Sequence, residues 1–275
     1  MQINFLRKLP EFKGKRRLAR FLLGRSLERE RDLSVNGKFG LRYKLPNLIE
    51  NIGFEILVNG IYEKETIDFI LGKLPDEAVF LDIGANIGGI VLPICRLKPG
   101  VMAYGVEASG KVFDYLKENR EINKVCNLVL ENRAISDKDE EQMNFYSPET
   151  VYGKGSFSPV YTRVAEIVKT IRLDSLIANC GITKVDFIKV DVEGYEYFVF
   201  KGGSSILVQK GAPDILFEFL DWAEGEIAGR EPGDAQRLLI EYGYELYELV
   251  SQGLKKINGL ILNRSAMIFA TKKMQ

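Results

Sequence analysis

The sequence predicts an α/β fold, a mostly parallel sheet with helices on both faces, and three stretches carry that prediction. Residues 79–89, VFLDIGANIGG, read as a short buried strand ending on Asp82, followed by a tight glycine turn that opens a helix. Residues 102–107 read as a second strand that ends on an acid, Glu107. Residues 185–194, VDFIKVDVEG, read as a third, whose period of two puts Lys189, Asp191 and Glu193 on one face and Val190 and Val192 on the other. A central parallel strand is ordinarily apolar on both faces, so three charges at its carboxyl end call for a ligand or a reaction. That end is where open α/β sheets bind ligands.

The glycine turn selects among cofactors. Gly84 and Gly88 allow a sharp turn and a close ligand approach, and the N–H groups opening the next helix attract a negative group. A dinucleotide fingerprint needs G-x-G-x-x-G, but Asn86 stands at its second glycine. The segment GVEASGKV at 105–112 approaches a phosphate-binding loop, yet Val112 replaces the magnesium-holding Ser or Thr and Glu107 would repel phosphates. The turn glycines, the strand-end acids and the spacing of about 20 residues from the glycine turn to Glu107 suit a nucleoside instead. Glu107 can then accept both ribose hydroxyls.

Composition narrows the chemistry. The 275 residues, 46% of them apolar, suffice for one large domain. Formal net charge is zero, but residues 1–25 hold eight Lys or Arg against the single acid Glu11, leaving 30 bases against 37 acids elsewhere. Histidine is absent, which removes Ser-His-Asp and Cys-His catalysis and leaves Asp, Glu, Lys or Tyr as the general base. Cys95, Cys126 and Cys180 are scattered in apolar contexts and read as reduced core thiols of a cytoplasmic protein. No run reaches the length of a transmembrane helix.

In chain order, residues 1–32 form a basic helical segment, with Leu18, Phe21 and Leu22 on one side of a helix starting near Lys15. The segment suits an anionic surface, nucleic acid or an acidic substrate, but a short basic helix alone attaches weakly, and the preferred reading is a solvated cap on the main domain, 33–275. Within that domain 33–76 is a packed extension, with strands expected over 39–45 and 54–58 and a helix carrying Ile67, Ile70, Leu71 and Leu74. Helices follow over 86–97 and 111–123, and a third strand over 127–131 leads to Ala134-Ile135-Ser136-Asp137. There Ile135 can flank an adenine and Ser136 or Asp137 can read its amino edge, or the segment is an ordinary polar turn. Residues 140–172 are an insertion with strands over 142–146 and 167–173, around a loop, 147–161, whose Tyr152, Phe157 and Tyr161 cover a substrate or pack onto the core. The strand over 214–219 carries Glu218 and precedes Trp222. A helix then starts near Pro232 and stops before Gly243. Strands over 244–249 and 266–272 complete the sheet as an antiparallel pair.

Asp82-x-Gly84-x-x-x-Gly88 resembles motif I of the class I, Rossmann-like S-adenosylmethionine (SAM)-dependent methyltransferases. Together with Gly60-Ile61-Tyr62-Glu63, Glu107, Ala134 to Asp137, Leu173-Asp174 and the Lys189-x-Asp191-x-Glu193-Gly194 strand, it makes residues 54–219 resemble the FkbM family. One departure is Ala108-Ser109-Gly110, where the family usually has a proline-containing turn. The resemblance implies SAM binding by Asp82, Gly84, Ala85, Asn86 and Gly88 at the turn, by Glu107 and Ala108 at the ribose, by Ile135 and Ser136 at the adenine, and by Asp191. It implies O-methylation of a hydroxyl on a sugar, glycan or other small molecule, leaving S-adenosylhomocysteine.

Without histidine, Asp191 or Glu193 is the candidate base and Glu218 the third. Lys189 can orient these carboxylates, but an ion pair also weakens them as bases. A divalent metal on Asp191, Glu193 and Glu218 is another way to acidify the hydroxyl. The alternatives are a non-catalytic SAM- or nucleotide-binding protein docked through its basic N-terminus, or an RNA methyltransferase.

Overall fold

The computed structural model describes residues 14–24 and 30–272. Arg7, Lys8, Lys13 and Arg25 of the basic segment lie outside them. A large sheet has the order β12-β11-β13-β10-β9-β3-β4-β5. Its parallel part comprises β3 (Val79–Ile83), β4 (Met102–Val106), β5 (Leu128–Glu131), β9 (Phe187–Val190) and β10 (Asp214–Phe219). β13 (Ala266–Thr271) runs antiparallel to both β10 and β11 (Glu245–Val250), giving the expected closing pair. The polar stretch between them adds β12 (Gly253–Lys256), hairpinned onto β11.

Strand period decides the two faces. Phe80, Phe187, Leu216 and Phe269 point into one core, with Ile67 and Ile70 of α3 (Lys64–Lys73), Leu92 of α4 (Val91–Leu97) and Leu116 of α5 (Gly110–Ile122). Their neighbours Leu81, Ile188, Ile215 and Ile268 point into the other, with Leu176 of α6 (Leu173–Asn179), Phe200 of α7 (Glu196–Gly202) and Leu239 of α10 (Asp234–Glu241). The chain lays down β3, β4 and β5 in one direction and returns to place β9 on the other side of β3, with Lys189 opposite Asp82. That reversal opens a crevice at the strands' carboxyl ends.

A second sheet, β6-β8-β7, combines β6 (Ala134–Ser136), β7 (Gln142–Phe145) and β8 (Glu166–Arg172), so the 140–172 segment pairs with the strand before it. The extension supplies a hairpin, β1 (Arg31–Asn36) with β2 (Arg42–Asn47), and two helices, α2 (Asn51–Asn59) and α3. The basic segment is helical over α1 (Lys15–Leu23), but its last two residues, Arg31 and Asp32, already belong to β1. No helix among the described residues is long and apolar enough to cross a membrane.

Several expectations are corrected. Residues 54–58 are helical, within α2: Glu50 accepts a hydrogen bond from the Asn51 N–H, Gly60 closes the helix at φ 75°, and residues 52–58 are buried all round, so no period distinguished helix from strand. The helix expected from Asn86 starts only at Val91, because Gly84, Asn86 and Gly88 have φ of 77°, 50° and 90°. The strand expected over 185–194 spans Phe187–Val190, with Glu193 at φ 51° and Gly194 at φ 99° turning the chain after it. Of the three free thiols only Cys95 is a buried core thiol; Cys126 is exposed and Cys180 half-buried.

The extension is stitched on by two asparagines of the α5 region. Asn119, fully buried, accepts from the Lys44 N–H and donates to the carbonyls of Lys44 (3.1 Å) and Ile87 (3.0 Å), while Asn123 accepts from the Arg42 N–H at 2.8 Å. Replacing Asn119 by Ala strands these backbone groups, and urea denaturation is expected to show a loss of about 2 kcal/mol.

Candidate active site

The crevice is a cavity over the carboxyl ends of β3, β4, β9 and β10, roofed by the 147–161 loop. Beneath it lies a buried charge cluster. Lys189 Nζ sits 3.2 Å from Asp82 Oδ1 and 3.5 Å from Asp191 Oδ2, and donates to the Gly84 carbonyl at 3.0 Å. Burial works against the ammonium, but Asp82, Asp191 and Glu63 outweigh it and hold the Lys189 pKa above its ordinary value. Gly84 is pressed against the same cluster. A Cβ there would stand 1.8 Å from the Asp191 carbonyl oxygen, a contact no side chain tolerates, and its φ of 77° also favours glycine.

The wall facing this floor is Glu107, whose Oε2 accepts from the Asn86 N–H and Oε1 from the Ser109 N–H, both at 2.9 Å. Each oxygen keeps a second lone pair for a diol. Burial pushes Glu107 up to about 7, against the pull of the Ser109 and Asn86 N–H groups. Ser109 caps α5, and Glu166 of β8 binds both the Ser109 hydroxyl (2.6 Å) and the Gly110 N–H (3.1 Å), fixing the turn that replaces the proline-containing one.

The acidic end holds Asp191, Glu193 and Glu218, with Glu63 beside them. Glu193 is 8% exposed and its Oε2 is buried without a hydrogen-bond partner. Burial, then the Asp191 carboxylate, raises it to about 7, with Lys154 opposing. Burial and the neighbouring Asp191, Glu193 and Glu63 carboxylates push Glu218 to about 9. Glu196 accepts from the Val192 N–H at 3.1 Å and the Gly194 N–H at 3.4 Å, which holds the turn carrying Glu193. Among the described residues no group of three or more His, Cys, Asp or Glu is arranged to hold a metal ion.

Of the residues expected at a cofactor, Gly84, Ala85, Asn86, Glu107, Ala108, Ile135 and Asp191 line the cavity, as do Lys189, Glu193 and Glu218. Three do not. Asp82 is fully buried below the floor and acts through Lys189. Gly88 is a packing glycine, since a Cβ there would meet Leu92 at 2.7 Å and Leu116 at 3.0 Å. Ser136 turns away, its hydroxyl 3.2 Å from that of Tyr195. Sequence reasoning gave no site role to Glu50, Glu63 or Lys154, which also line the cavity. Glu63 does have a sequence signal, as the last residue of the Gly60-Ile61-Tyr62-Glu63 stretch that carries the family resemblance. Glu50 and Lys154 have none.

The roof is tied to the floor. Asn86 Nδ2 donates to the Tyr152 carbonyl at 3.3 Å, Glu50 accepts from the Gly153 N–H at 3.3 Å, and the Ser156 hydroxyl donates to the Glu193 carbonyl at 3.3 Å. Tyr152 is buried and Phe157 packs on Phe145 and Tyr195, and both line the cavity, whereas Tyr161 meets Trp222 edge-on outside its lining.

A family model described as the methyltransferase FkbM domain matches residues 82–246. The hexuronic acid methyltransferase AglP of Haloferax volcanii is 29% identical over 180 residues, which span 65% of this chain and 68% of that protein. The AMB antimetabolite synthetase AmbE of Pseudomonas aeruginosa is 25% identical over 237 residues, 73% of this chain and 11% of that much longer protein. Among solved structures, a SAM-dependent O-methyltransferase of Thermotoga maritima gives a TM-score of 0.43 at 14% identity, covering 92% of this chain and 82% of that one. Fibrillarin of Aeropyrum pernix, with natively bound SAM, gives 0.42 at 15% identity over 76% and 74%.

The raised acids make stability pH-dependent. Their folded-state pKa values, about 7 for Glu107 and Glu193 and about 9 for Glu218, exceed the ordinary 4.5, so the folded chain holds these protons more tightly than the unfolded one. That contribution is present in full below the ordinary value and is lost as pH rises from about 4.5 through about 7 for Glu107 and Glu193 and through about 9 for Glu218. Denaturation midpoints of the ligand-free protein are expected to fall over this range, and Glu218→Gln to flatten the alkaline part. A pH-independent midpoint would contradict the burial of these groups.

Proposed function

The chain belongs to the FkbM family of SAM-dependent methyltransferases, and on that premise we propose that it transfers a methyl group to a hydroxyl oxygen of a sugar, glycan or other small molecule. The observation that carries the reading is Glu193, a buried carboxylate with one oxygen unpartnered at the cavity's acidic end.

The residues present fit the cofactor. The glycine floor at Gly84 gives a close backbone approach, with Ala85 and Asn86 beside it. Glu107 offers the free lone pairs that a ribose diol needs, and Ala108 and Ile135 supply apolar flanks for an adenine. The cavity's carboxylates outnumber Lys154, Lys189 and Arg133, which favours a cationic ligand. SAM, when bound, supplies an already activated sulfonium methyl group.

Glu193 takes the acceptor's proton. Its pKa near 7 makes it half-ionised at neutrality, which suits a base, whereas Glu218 keeps its proton there and donates a hydrogen bond to the acceptor. Asp191 is tied to Lys189 and keeps the floor charge in register. AglP acts, by its name, on a hexuronic acid. A sugar acid suits this cavity too, because Lys154 lines it and can pair with a carboxylate.

Glu193→Gln is expected to lower kcat by about 10² to 10⁴ while leaving calorimetric S-adenosylhomocysteine affinity unchanged, and to remove the acidic limb of the pH–rate profile; unchanged turnover would sink the assignment. Gly84→Ala is expected to abolish S-adenosylhomocysteine binding. On a hexuronic acid acceptor, a product that survives mild alkali is the expected ether, and one that releases methanol is an ester made on the carboxylate.

A further inference from the structure

Helix α1 is amphipathic, and only one of its sides is used by the body. Lys15 and Ala19 are buried against it. Arg20 holds the helix in place: its guanidinium lies 4.3 Å over the Phe54 ring and donates to Asn51 Oδ1 at 2.8 Å. The other side presents Leu18, Phe21 and Leu22, which are 38%, 83% and 41% exposed and share one stripe at helical spacing. Arg17 is exposed on the same helix.

Charge identifies what covers that stripe. Residues 1–25 carry eight bases and one acid, whereas the remainder carries 30 bases and 37 acids. The excess of positive charge along the sequence is therefore concentrated in the segment whose described part, α1, exposes these apolar side chains. A bilayer with anionic headgroups attracts that segment and repels the body, and a helix lying in its plane buries apolar side chains among the acyl chains while its cations meet the headgroups. We infer that α1 docks this protein on an anionic lipid surface, with Phe21 and Leu22 inserted. Asn51, the residue Arg20 holds, also lines the cavity, so α1 is joined to the cavity wall through one side-chain contact.

The test is co-sedimentation of the full chain with phosphatidylcholine vesicles, with and without phosphatidylglycerol, for the wild type and Phe21→Ser. The expected result is pelleting with the anionic vesicles alone, release by high salt, and partitioning weakened about tenfold by Phe21→Ser, whose S-adenosylhomocysteine affinity stays unchanged because Phe21 packs on nothing that holds the fold. Equal pelleting with neutral vesicles, no pelleting, or indifference to Phe21→Ser would overturn the inference. So would self-association that Phe21→Ser abolishes without vesicle binding, which assigns the stripe to a second copy. Retention on an RNA homopolymer without vesicle binding would assign the basic segment to nucleic acid and overturn it equally. None of these readouts depends on turnover.

Discussion

The buried ammonium of Lys189 is the interaction on which the rest of the structure depends. It is shared by a carboxylate of β3, a carboxylate just beyond β9 and the carbonyl that opens the glycine turn. Such a cluster is costly to assemble, and removing one partner leaves an uncompensated buried charge worth about 3–5 kcal/mol. The arrangement therefore specifies more than it stabilises. It fixes which residue of β9 stands beside which residue of β3, and with them how closely Gly84 approaches Asp191.

From that register the electrostatics follow. One ammonium stands against two carboxylates, and Glu63, Glu193 and Glu218 add to the same side. Protonation relieves the excess in the ligand-free protein, which is why the burial-raised acids cluster around this cavity rather than on the surface. A ligand that brings its own positive charge relieves it differently, by facing the carboxylates directly. Instability of the empty cavity and affinity for a sulfonium are two readings of one charge imbalance.

How much of this could be read in advance depended on how local the cause was. The strands that build the crevice were legible because both faces of β3, β9 and β10 are buried and each lies between turn signals. Glu107 was legible because an acid closing an apolar strand has few structural uses. Residues 54–58 were misread because a short run buried all round has no period. Glu193 was recognised, but by an incorrect geometry: the strand ends three residues earlier, and a left-handed turn rather than the pleat aims the side chain. Ser136 was placed at the adenine edge by position alone, whereas its partner is Tyr195, 59 residues away. Glu50 and Lys154 reach the cavity only through tertiary packing, and no spacing in the chain announces them.

The 147–161 loop is fastened at Asn86, at Glu50 and at the Glu193 carbonyl, and again where the Ser158 hydroxyl donates to the Glu226 carbonyl at 3.0 Å. Most of these contacts use the loop's backbone or small hydroxyls, not its large side chains. Lys154, which lies between them and makes none of these fastenings, can thus vary without disturbing how the loop is hung. A fold of this kind can change its acceptor by point substitution while its cofactor floor is inherited intact.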